Sequence, residues 1–157
     1  MRIACYQPEI AGNTGAVLRL SACLGVGVDI IEPCGFIWSA PRMKRAGMDY
    51  IQHVDIVHHA SWHAFRESLS ENTDQSIGKR AILLTTHAKI RLPDFTFAES
   101  DTLILGRESA GVPAEVAESC DAAVRIPIAG NVRSLNLAVA AAIALYEARR
   151  QTGGLPQ

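Results

Sequence analysis

The stretch Arg125-Ile-Pro-Ile-Ala-Gly-Asn-Val-Arg-Ser-Leu-Asn-Leu-Ala-Val-Ala-Ala-Ala-Ile-Ala-Leu-Tyr-Glu147 decides how this chain is organised. It predicts a short strand, a polar turn that contains glycine, and a helix with Ser134 near its start. Within residues 135–146 the only polar side chain is that of Asn136. Because a helix that is apolar on every side has to be buried, we expect it to pack in the core or against a second subunit. Its apolar run is shorter than the ~20 residues that cross a bilayer, so we expect no membrane span.

The composition is that of one globular domain. The chain has 157 residues, of which 48% are hydrophobic and 20% charged, so we expect a single folded domain over residues 1–157. The net charge of −1 provides no overall attraction to nucleic acid, and any RNA contact therefore needs a local basic patch. Four scattered cysteines and the lack of a targeting segment predict a reduced, cytoplasmic protein, with Cys5, Cys23 and Cys120 buried among apolar neighbours.

Short apolar runs alternate with helical segments along the chain. They predict strands at residues 2–6, 28–31, 53–58, 80–86, 102–106 and 122–126. Helices are predicted at residues 13–24, 39–47, 62–69 and 113–119, with Asn13 or Thr14 capping the first, and residues 87–100 show no convincing period. A strand, a glycine-bearing loop, a helix and a further strand form a βαβ unit, so we expect a parallel sheet covered on both faces. This is a three-layer α/β domain.

Three polar, glycine-bearing segments follow three of these strands, at residues 13–19, 106–113 and 126–136. In open α/β sheets ligands bind beyond the carboxyl ends of the strands, which is where all three segments lie. They offer a set of candidate site residues: Asn13, Arg19, Gly106, Glu108, Arg133, Ser134 and Asn136. Simpler explanations stay open: Arg19 as a solvated surface residue, Gly106 as part of a plain turn, and Ser134 as a helix N-cap.

Other familiar motifs are missing from the sequence. There is no Walker loop, and Gly25-Val-Gly27 follows a helix, so it does not fit a dinucleotide-binding fingerprint. The five histidines lack zinc-site spacing, and we expect no metal. His59 and His63, four residues apart, are expected to form a surface pair.

Three segments together resemble the motifs of SPOUT-superfamily RNA 2′-O-methyltransferases. They are Asn13-Thr-Gly-Ala-Val-Leu-Arg19, Leu105-Gly-Arg-Glu-Ser-Ala-Gly-Val-Pro113, and Ile126-Pro-Ile followed by Ser134-Leu-Asn-Leu-Ala-Val-Ala140. In addition, Ile31-Glu-Pro-Cys-Gly-Phe36 and Arg45-Ala-Gly-Met-Asp-Tyr50 resemble the small subgroup that methylates the wobble ribose, of cytidine or uridine, in the tRNA anticodon.

The resemblance implies a C-terminal deep trefoil knot, although general topology rules argue against knots. It implies that S-adenosyl-L-methionine binds in the knot, largely through backbone groups of three loops, at positions that match Leu84, Gly106, Ile126 and Ser134. It also implies a homodimer with its sites at the interface, and Tyr146 is a candidate for that interface.

The reaction that the resemblance implies is in-line transfer of a methyl group to a ribose 2′-hydroxyl. The family's catalytic position matches Arg19. Because a guanidinium stays protonated, we expect Arg19 to polarise or orient the hydroxyl, with a phosphate oxygen helping to take the proton. Asn13, Glu108, Ser134 and Asn136 are expected to fix Arg19, the ribose and the cofactor in place, with Glu108 as a direct base being the rival assignment.

RNA binding is expected to rest on local positive charge, and to weaken steeply with salt. The candidates for binding the anticodon stem-loop are Arg42, Lys44, Arg45, Arg133, Arg149 and Arg150. Three other readings remain open at this point. They are the same chemistry on another tRNA position or on rRNA, a catalytically silent knotted RNA-binding factor, and a generic nucleotide-binding α/β module.

Overall fold

The structure, a computed structural model, describes residues 1–38, 50–71 and 79–157. The predicted basic helix at residues 39–47 therefore lies outside the described part of the chain. So do the RNA-binding candidates Arg42, Lys44 and Arg45.

In the described residues, seven parallel strands form a sheet at the centre of the molecule, as the alternating apolar runs predict. Its strands are β1 (Arg2–Tyr6), β2 (Gly27–Ile31), β3 (Ile56–His59), β4 (Ala81–Leu84), β5 (Ile90–Arg91), β6 (Thr102–Leu105) and β7 (Ala122–Arg125). Their spatial order is β3-β2-β1-β6-β4-β7-β5. The central strands are buried on both faces, with Ile3 of β1 opposite Val28 of β2 and Leu103 of β6.

Helices cover both faces of this sheet and give three layers. They are α1 (Ala11–Leu24), α2 (Trp62–Glu71), α3 (Ala114–Glu118) and α4 (Leu137–Gln151), with short 3-10 turns at Ile51–His53 and Leu92–Asp94. On one face Val17 and Leu18 of α1 pack with Leu145 of α4. On the other face Phe65 of α2 packs with Val116 of α3. The predicted three-layer α/β architecture is confirmed.

The C-terminal helix α4 has two different faces. Its inner face is fully buried against α1 and the sheet through Ala141, Ala144, Leu145 and Ala148. Its outer face leaves Val139, Ile143 and Tyr146 exposed by 48%, 41% and 55%. Within one chain, therefore, only half of the apolar helix is buried.

Several boundaries differ from the prediction. The helix α1 begins at Ala11, before Asn13, and its N-cap residue, Ile10, supplies no capping side chain. His53 lies in a 3-10 turn, so β3 starts three residues later than expected. The short strand β5 lies in the segment that has no sequence period. Cys23 is exposed, because it lies on the outer side of α1, and all four cysteines are free.

A buried ionic group ties the first three strands together. The carboxylate of Asp29 accepts from Nε of Arg2 at 2.7 Å and pairs with Nε2 of His59 at 2.8 Å. His59 is thus buried, and the expected surface pair with His63 is wrong, since His63 instead pairs with Glu67 on α2. In the described part of the chain no three metal-ligating side chains cluster, and no helix there is long and apolar enough to span a membrane.

Candidate active site

A cavity of about 790 Å³ opens at the carboxyl ends of β4, β6 and β7. Its walls are the segments that follow these strands, together with the loop that leads into α4. This is the edge where parallel sheets bind ligands, and the volume is within the range of small-molecule sites. All four positions predicted to contact the cofactor, Leu84, Gly106, Ile126 and Ser134, line this cavity.

The loop after β6 is closed on itself by two backbone hydrogen bonds. The N–H of Arg107 donates to the carbonyl of Gly111, and the N–H of Gly111 donates to the carbonyl of Arg107, both at 2.9 Å. Gly111 has a φ of +65°, and a Cβ at Gly106 would lie 2.7 Å from the carbonyl carbon of Gly111. The loop therefore requires glycine at both ends, which fixes the direction of the side chains between them.

Glu108 in this loop anchors the start of α1. Its carboxylate accepts from the backbone N–H of Glu9 at 2.9 Å, the N–H of Ile10 at 3.3 Å and Nδ2 of Asn13 at 3.2 Å. These groups lie at the N-terminal end of α1, where backbone donors lack intrahelical partners and negative charge is favoured. The sequence assigned the N-terminal cap of α1 to Asn13 or Thr14. In the structure Glu108, about a hundred residues further along the chain, supplies it instead.

Glu9 makes the reciprocal contact. Its carboxylate accepts from the backbone N–H of Ser109 at 2.8 Å and from the Ser109 hydroxyl at 2.7 Å. These two hydrogen bonds hold the pKa of Glu9 below its ordinary value. A carboxyl with a lowered pKa contributes its stability above that ordinary value and loses it as the pH falls through the lowered one, so this contact is intact at neutral pH.

Asn136 extends the same network to α4. Its Nδ2 donates to Oδ1 of Asn13 at 3.0 Å, and its Oδ1 accepts from the N–H groups of Ala138 and Val139 at 2.9 and 3.3 Å. Asn136 is therefore the N-cap of α4, and the cap assigned to Ser134 is wrong, because the helix begins only at Leu137. The relay Glu108–Asn13–Asn136 joins the three segments that the sequence singled out.

Arg19 is separated from this relay within one chain. It lies six residues after Asn13, which places it roughly 9 Å along the helix axis and about 120° around it. Its side chain is exposed and does not line the cavity. Instead its guanidinium lies over the ring of Tyr50, 5.1 Å from the centroid. Tyr50 had no assigned role in the sequence, although it ends the segment at residues 45–50 that carried the subgroup resemblance.

Comparison with known proteins assigns the family. The SpoU rRNA Methylase family matches residues 1–146. The chain belongs to this family. It is 51% identical over 153 residues to the tRNA (cytidine(34)-2′-O)-methyltransferase of Beijerinckia indica subsp. indica, covering 98% of this chain and 92% of that one. The Escherichia coli K12 protein of the same name is 37% identical over 155 residues, with 98% and 94% covered.

Solved structures of this family have the same fold. One, from work on the 2-OH methylation of C/U34 on tRNA, superposes with a TM-score of 0.87 at 43% identity, and covers 96% of this chain and 94% of its own. Another is the SpoU methyltransferase AviRb from Streptomyces viridochromogenes in complex with AdoMet. It gives a TM-score of 0.88 at 26% identity, covering 96% of this chain and 57% of that longer one.

The basic residues proposed for RNA lie in different places. Arg133 is exposed at the cavity wall. Arg149 and Arg150 lie in the last turn of α4, roughly 20 Å from its start at Leu137. Arg150 donates two hydrogen bonds to Glu147 at 2.8 Å, and these bonds, together with one from Gln151, lower the pKa of Glu147 to about 2. Part of the Arg150 charge is thus already neutralised, whereas Arg133, alone among the candidates that the structure describes, lines the same cavity as the relay.

Two variants of Asn136 separate its cap from its contact with Asn13. We expect Asn136→Ala to lower the free energy of unfolding by about 1 kcal/mol, because it loses the cap. We expect Asn136→Asp, which keeps the capping oxygen but loses the donor to Asn13, to unfold at nearly the wild-type urea concentration. Its methyl transfer should nonetheless be about tenfold slower, because the free energy of one net hydrogen bond corresponds to a rate change of about that size. Wild-type turnover in Asn136→Asp would show that the relay has no part in activity.

Proposed function

We propose that this chain is an S-adenosyl-L-methionine-dependent tRNA methyltransferase that acts on the ribose 2′-hydroxyl of the wobble nucleotide, cytidine or uridine. The observation that carries this proposal is the cavity bordered by the Glu108–Asn13–Asn136 relay, in a chain that matches tRNA (cytidine(34)-2′-O)-methyltransferases over nearly its whole length. We further propose that residues 1–157 act as one methyltransferase domain in the cytoplasm, which cell fractionation would test.

The residues of the cavity fit the cofactor. Its walls at Leu84, Gly106, Ile126 and Ser134 place backbone groups from three loops around one space. Arg107 is also among the residues that line it. When bound there, the cofactor would supply an activated methyl group for the 2′-oxygen and would leave as S-adenosylhomocysteine.

Glu108 is best understood as a positioning residue. Its two oxygens already accept three hydrogen bonds, which occupy most of the lone-pair positions that a carboxylate has. A general base needs a free lone pair directed at the proton it removes. This geometry supports a role in holding α1, Asn13 and Asn136 in fixed positions. Correct placement of reactants can lower an activation barrier by ~7–11 kcal/mol.

Arg19 is proposed as the catalytic residue that touches the hydroxyl. Its guanidinium stays protonated, so it polarises and orients the nucleophile, and a phosphate oxygen of the RNA takes the proton. The ring of Tyr50 restricts the position of this guanidinium through a cation–π contact. Because Arg19 does not line the cavity of its own chain, we propose that the complete site needs a second copy.

That second copy is proposed to cover the outer face of α4. Val139, Ile143 and Tyr146 follow one another at helical spacing, and Val132 and Leu135 continue the exposed apolar surface toward the cavity. Such a face is unusual for a monomer and typical of an interface. The helix α1, which carries Arg19, packs against the inner face of α4. We propose that a homodimer formed through the outer face brings Arg19 near the partner's cavity.

The order of the strands supports a C-terminal trefoil knot. Strand β5 lies at the edge of the sheet, but the two strands that follow it in the sequence lie further inside. Strand β6 lies between β1 and β4, and β7 lies between β4 and β5. We propose that this returning segment is threaded in the knot of the SPOUT fold. The anticodon stem-loop would bind at the rim of the cavity near Arg133, with Arg42, Lys44, Arg45, Arg149 and Arg150 as further phosphate contacts.

A second candidate function is methylation of rRNA. It is favoured by the description of the family itself and by neighbours such as the AdoMet-bound rRNA methyltransferase from Sinorhizobium meliloti, which has a TM-score of 0.81 at 27% identity. However, this chain covers only 55% of that protein. The wobble assignment therefore has the stronger support.

The experiment that tests the function uses purified protein, labelled S-adenosyl-L-methionine and tRNA from a strain that lacks the gene, with the labelled nucleosides mapped. We expect label in a 2′-O-methylated wobble nucleotide. Label at another tRNA position, or only in rRNA from the same strain, would change the assigned substrate but support the proposed methyl transfer. Cofactor binding without any label would favour a silent RNA-binding factor.

Arg19→Lys tests the catalytic arginine. Lysine keeps the positive charge but loses the planar fork of donors, so we expect kcat to fall at least tenfold with cofactor affinity unchanged. Single-turnover methylation and calorimetric binding would measure the two effects. Arg91→Lys, at an exposed arginine outside the cavity, is the matched control. Near-normal turnover of Arg19→Lys would remove the specific role of the guanidinium.

Tyr146→Glu tests the dimer. A buried unpaired carboxylate at the centre of an apolar interface is strongly unfavourable, so we expect a folded monomer with greatly reduced activity. Light scattering after gel filtration would give the mass, and circular dichroism the fold. Ile37→Glu, at an apolar residue that is 69% exposed elsewhere, should remain dimeric. A monomeric wild-type protein would contradict the proposal.

Mechanical unfolding tests the knot. A chain that is pulled from both ends extends to ~3.3–3.6 Å per residue unless a knot tightens within it. We expect the fully extended length in an optical trap to fall short of the value for 157 residues. An extension that reaches the full value would show an unknotted chain.

A further inference from the structure

A second cavity opens on the same edge of the sheet as the first, and none of the functions described above uses it. It has a volume of about 670 Å³ and lies beyond the carboxyl ends of β1, β2 and β3. The first residues of α2 and one side of α3 complete its wall. Strand β1, which borders the second cavity, is two positions from β4, which borders the first, so these strands lie roughly 10 Å apart.

Tyr6 brings an unused hydroxyl to this second cavity. It ends β1, is only 6% exposed, and lines the second cavity but not the first. Its hydroxyl makes no hydrogen bond with any described residue. The fully enclosed polar atoms that lack a partner belong to other side chains, so the oxygen of Tyr6 keeps some accessible surface. Because a buried hydroxyl is normally hydrogen-bonded, this one is available to a ligand in the cavity.

Gln7, the next residue, holds its side chain at the cavity wall in an unfavourable backbone conformation. Its φ is +46°, and among the described residues it is the one non-glycine residue with a positive φ. Such a conformation is costly for a residue with a Cβ and easy for glycine. Strain of this kind is typical of binding sites. The half-buried amide of Gln7 has no hydrogen-bond partner among the described residues, so it adds a free donor and a free acceptor beside Tyr6.

Trp62 provides an aromatic wall whose orientation is fixed. Its Nε1 donates to the hydroxyl of Ser119 at 2.9 Å. Its ring lies edge-on to Tyr6 and tilted against Phe65, with centroid distances of 6.1 and 5.2 Å. The indole N–H is therefore already used, and the half-buried ring offers the cavity an apolar π surface. A surface of this kind suits the stacking of a flat group.

The charges around the second cavity do not suit a phosphate. Arg66 and His63 line it, but each already pairs with a carboxylate, Arg66 with that of Asp121 at 3.0 Å. Glu32 and Glu115 also line it, and Glu115 has no ion pair among the described residues. Carboxylates repel a phosphate, whereas they accept hydrogen bonds from the amino groups of nucleobases. The wall thus favours a neutral ligand with donors of its own.

We propose that this second cavity binds an unpaired nucleobase of the tRNA anticodon loop, other than the base of the target nucleotide. An aromatic wall, a free amide and a free hydroxyl match a flat group that carries both donors and acceptors. Proteins recognise single-stranded RNA in this way, with bases turned out and stacked on aromatic side chains. The inference rests on the proposed function. When the target ribose enters the first cavity, a base nearby in the loop reaches the second, which thereby selects the RNAs that are methylated.

The test combines two variants with a series of RNAs. Anticodon stem-loops that each lack the base at one loop position are bound, at one fixed salt concentration, to the wild-type protein, to Tyr6→Phe and to Gln7→Gly. Tyr6→Phe removes only the unused hydroxyl, and Gln7→Gly relieves the left-handed conformation, so neither variant should unfold at a lower urea concentration. Thr96→Val, which removes an exposed hydroxyl outside both cavities, is the control.

We expect Tyr6→Phe to bind the complete stem-loop ~3- to 10-fold more weakly, the range for one net hydrogen bond, and Gln7→Gly to bind it about tenfold more weakly. One abasic stem-loop, altered at a position other than the wobble nucleotide, should bind equally weakly to the wild type and to both variants, because it lacks the base that they contact. Affinity for S-adenosylhomocysteine should be the same in every protein. Thr96→Val should bind each RNA as the wild type does.

Three results would overturn the proposal. Wild-type affinity of both variants for the complete stem-loop would show that the second cavity does not contact RNA. Losses that persist with every abasic stem-loop would mark an indirect effect of the substitutions. A parallel loss of affinity for S-adenosylhomocysteine would place the effect in the first cavity. If the wild-type protein neither binds nor methylates the complete stem-loop, the proposed function itself fails, and this outcome is distinct from equal binding by the wild type and the variants.

Discussion

The carboxylate of Glu108 is the contact on which the arrangement of the site depends. It accepts the unsatisfied donors at the start of α1 and the side chain of Asn13, and through Asn13 it sets Asn136 at the start of α4. Two helices that pack on the same face of the sheet are thus aligned with the loop after β6. A change of a few tenths of an ångström in that loop would be transmitted to both helices, because hydrogen bonds of this kind weaken steeply with distance and angle.

The tight loop at residues 106–111 explains why this anchor works. Glycine at both ends allows the chain to reverse within a few residues, and the two backbone hydrogen bonds between Arg107 and Gly111 make it rigid. One short turn can then direct Glu108 toward α1 and leave Arg107 in the cavity wall. The turn thus joins the cavity wall at Gly106 to the anchor at Glu108, so the orientation of one is coupled to that of the other.

Much of the fold could be predicted from the sequence, because continuous apolar strands report a sheet that is covered on both faces. The strand β5 was missed since Ile90 and Arg91 are both exposed and two residues carry no period. The start of α1 was misplaced because Glu108, which accepts its first hydrogen bonds, is distant in sequence. Capping rules consider only residues next to the start of a helix. Motif resemblance identified the cavity walls at Leu84, Gly106, Ile126 and Ser134, but it gave no signal for Tyr50, whose contact with Arg19 depends on a distance that only the folded chain defines.

The apolar sequence of α4 had two possible explanations, a core position or a subunit interface. One face of the helix lies in the core, and the other is exposed, as the proposed interface requires. Small residues such as Ala141, Ala144 and Ala148 allow α4 to lie close to α1 and the sheet, while the larger Val139, Ile143 and Tyr146 point outward. The larger side chains on the outer face leave more apolar surface in water. Leaving that surface exposed costs about 25 cal/mol per Å². Arg19, on α1, does not line the cavity of its own chain, so the proposed homodimer would bury this face and complete the site by the same association.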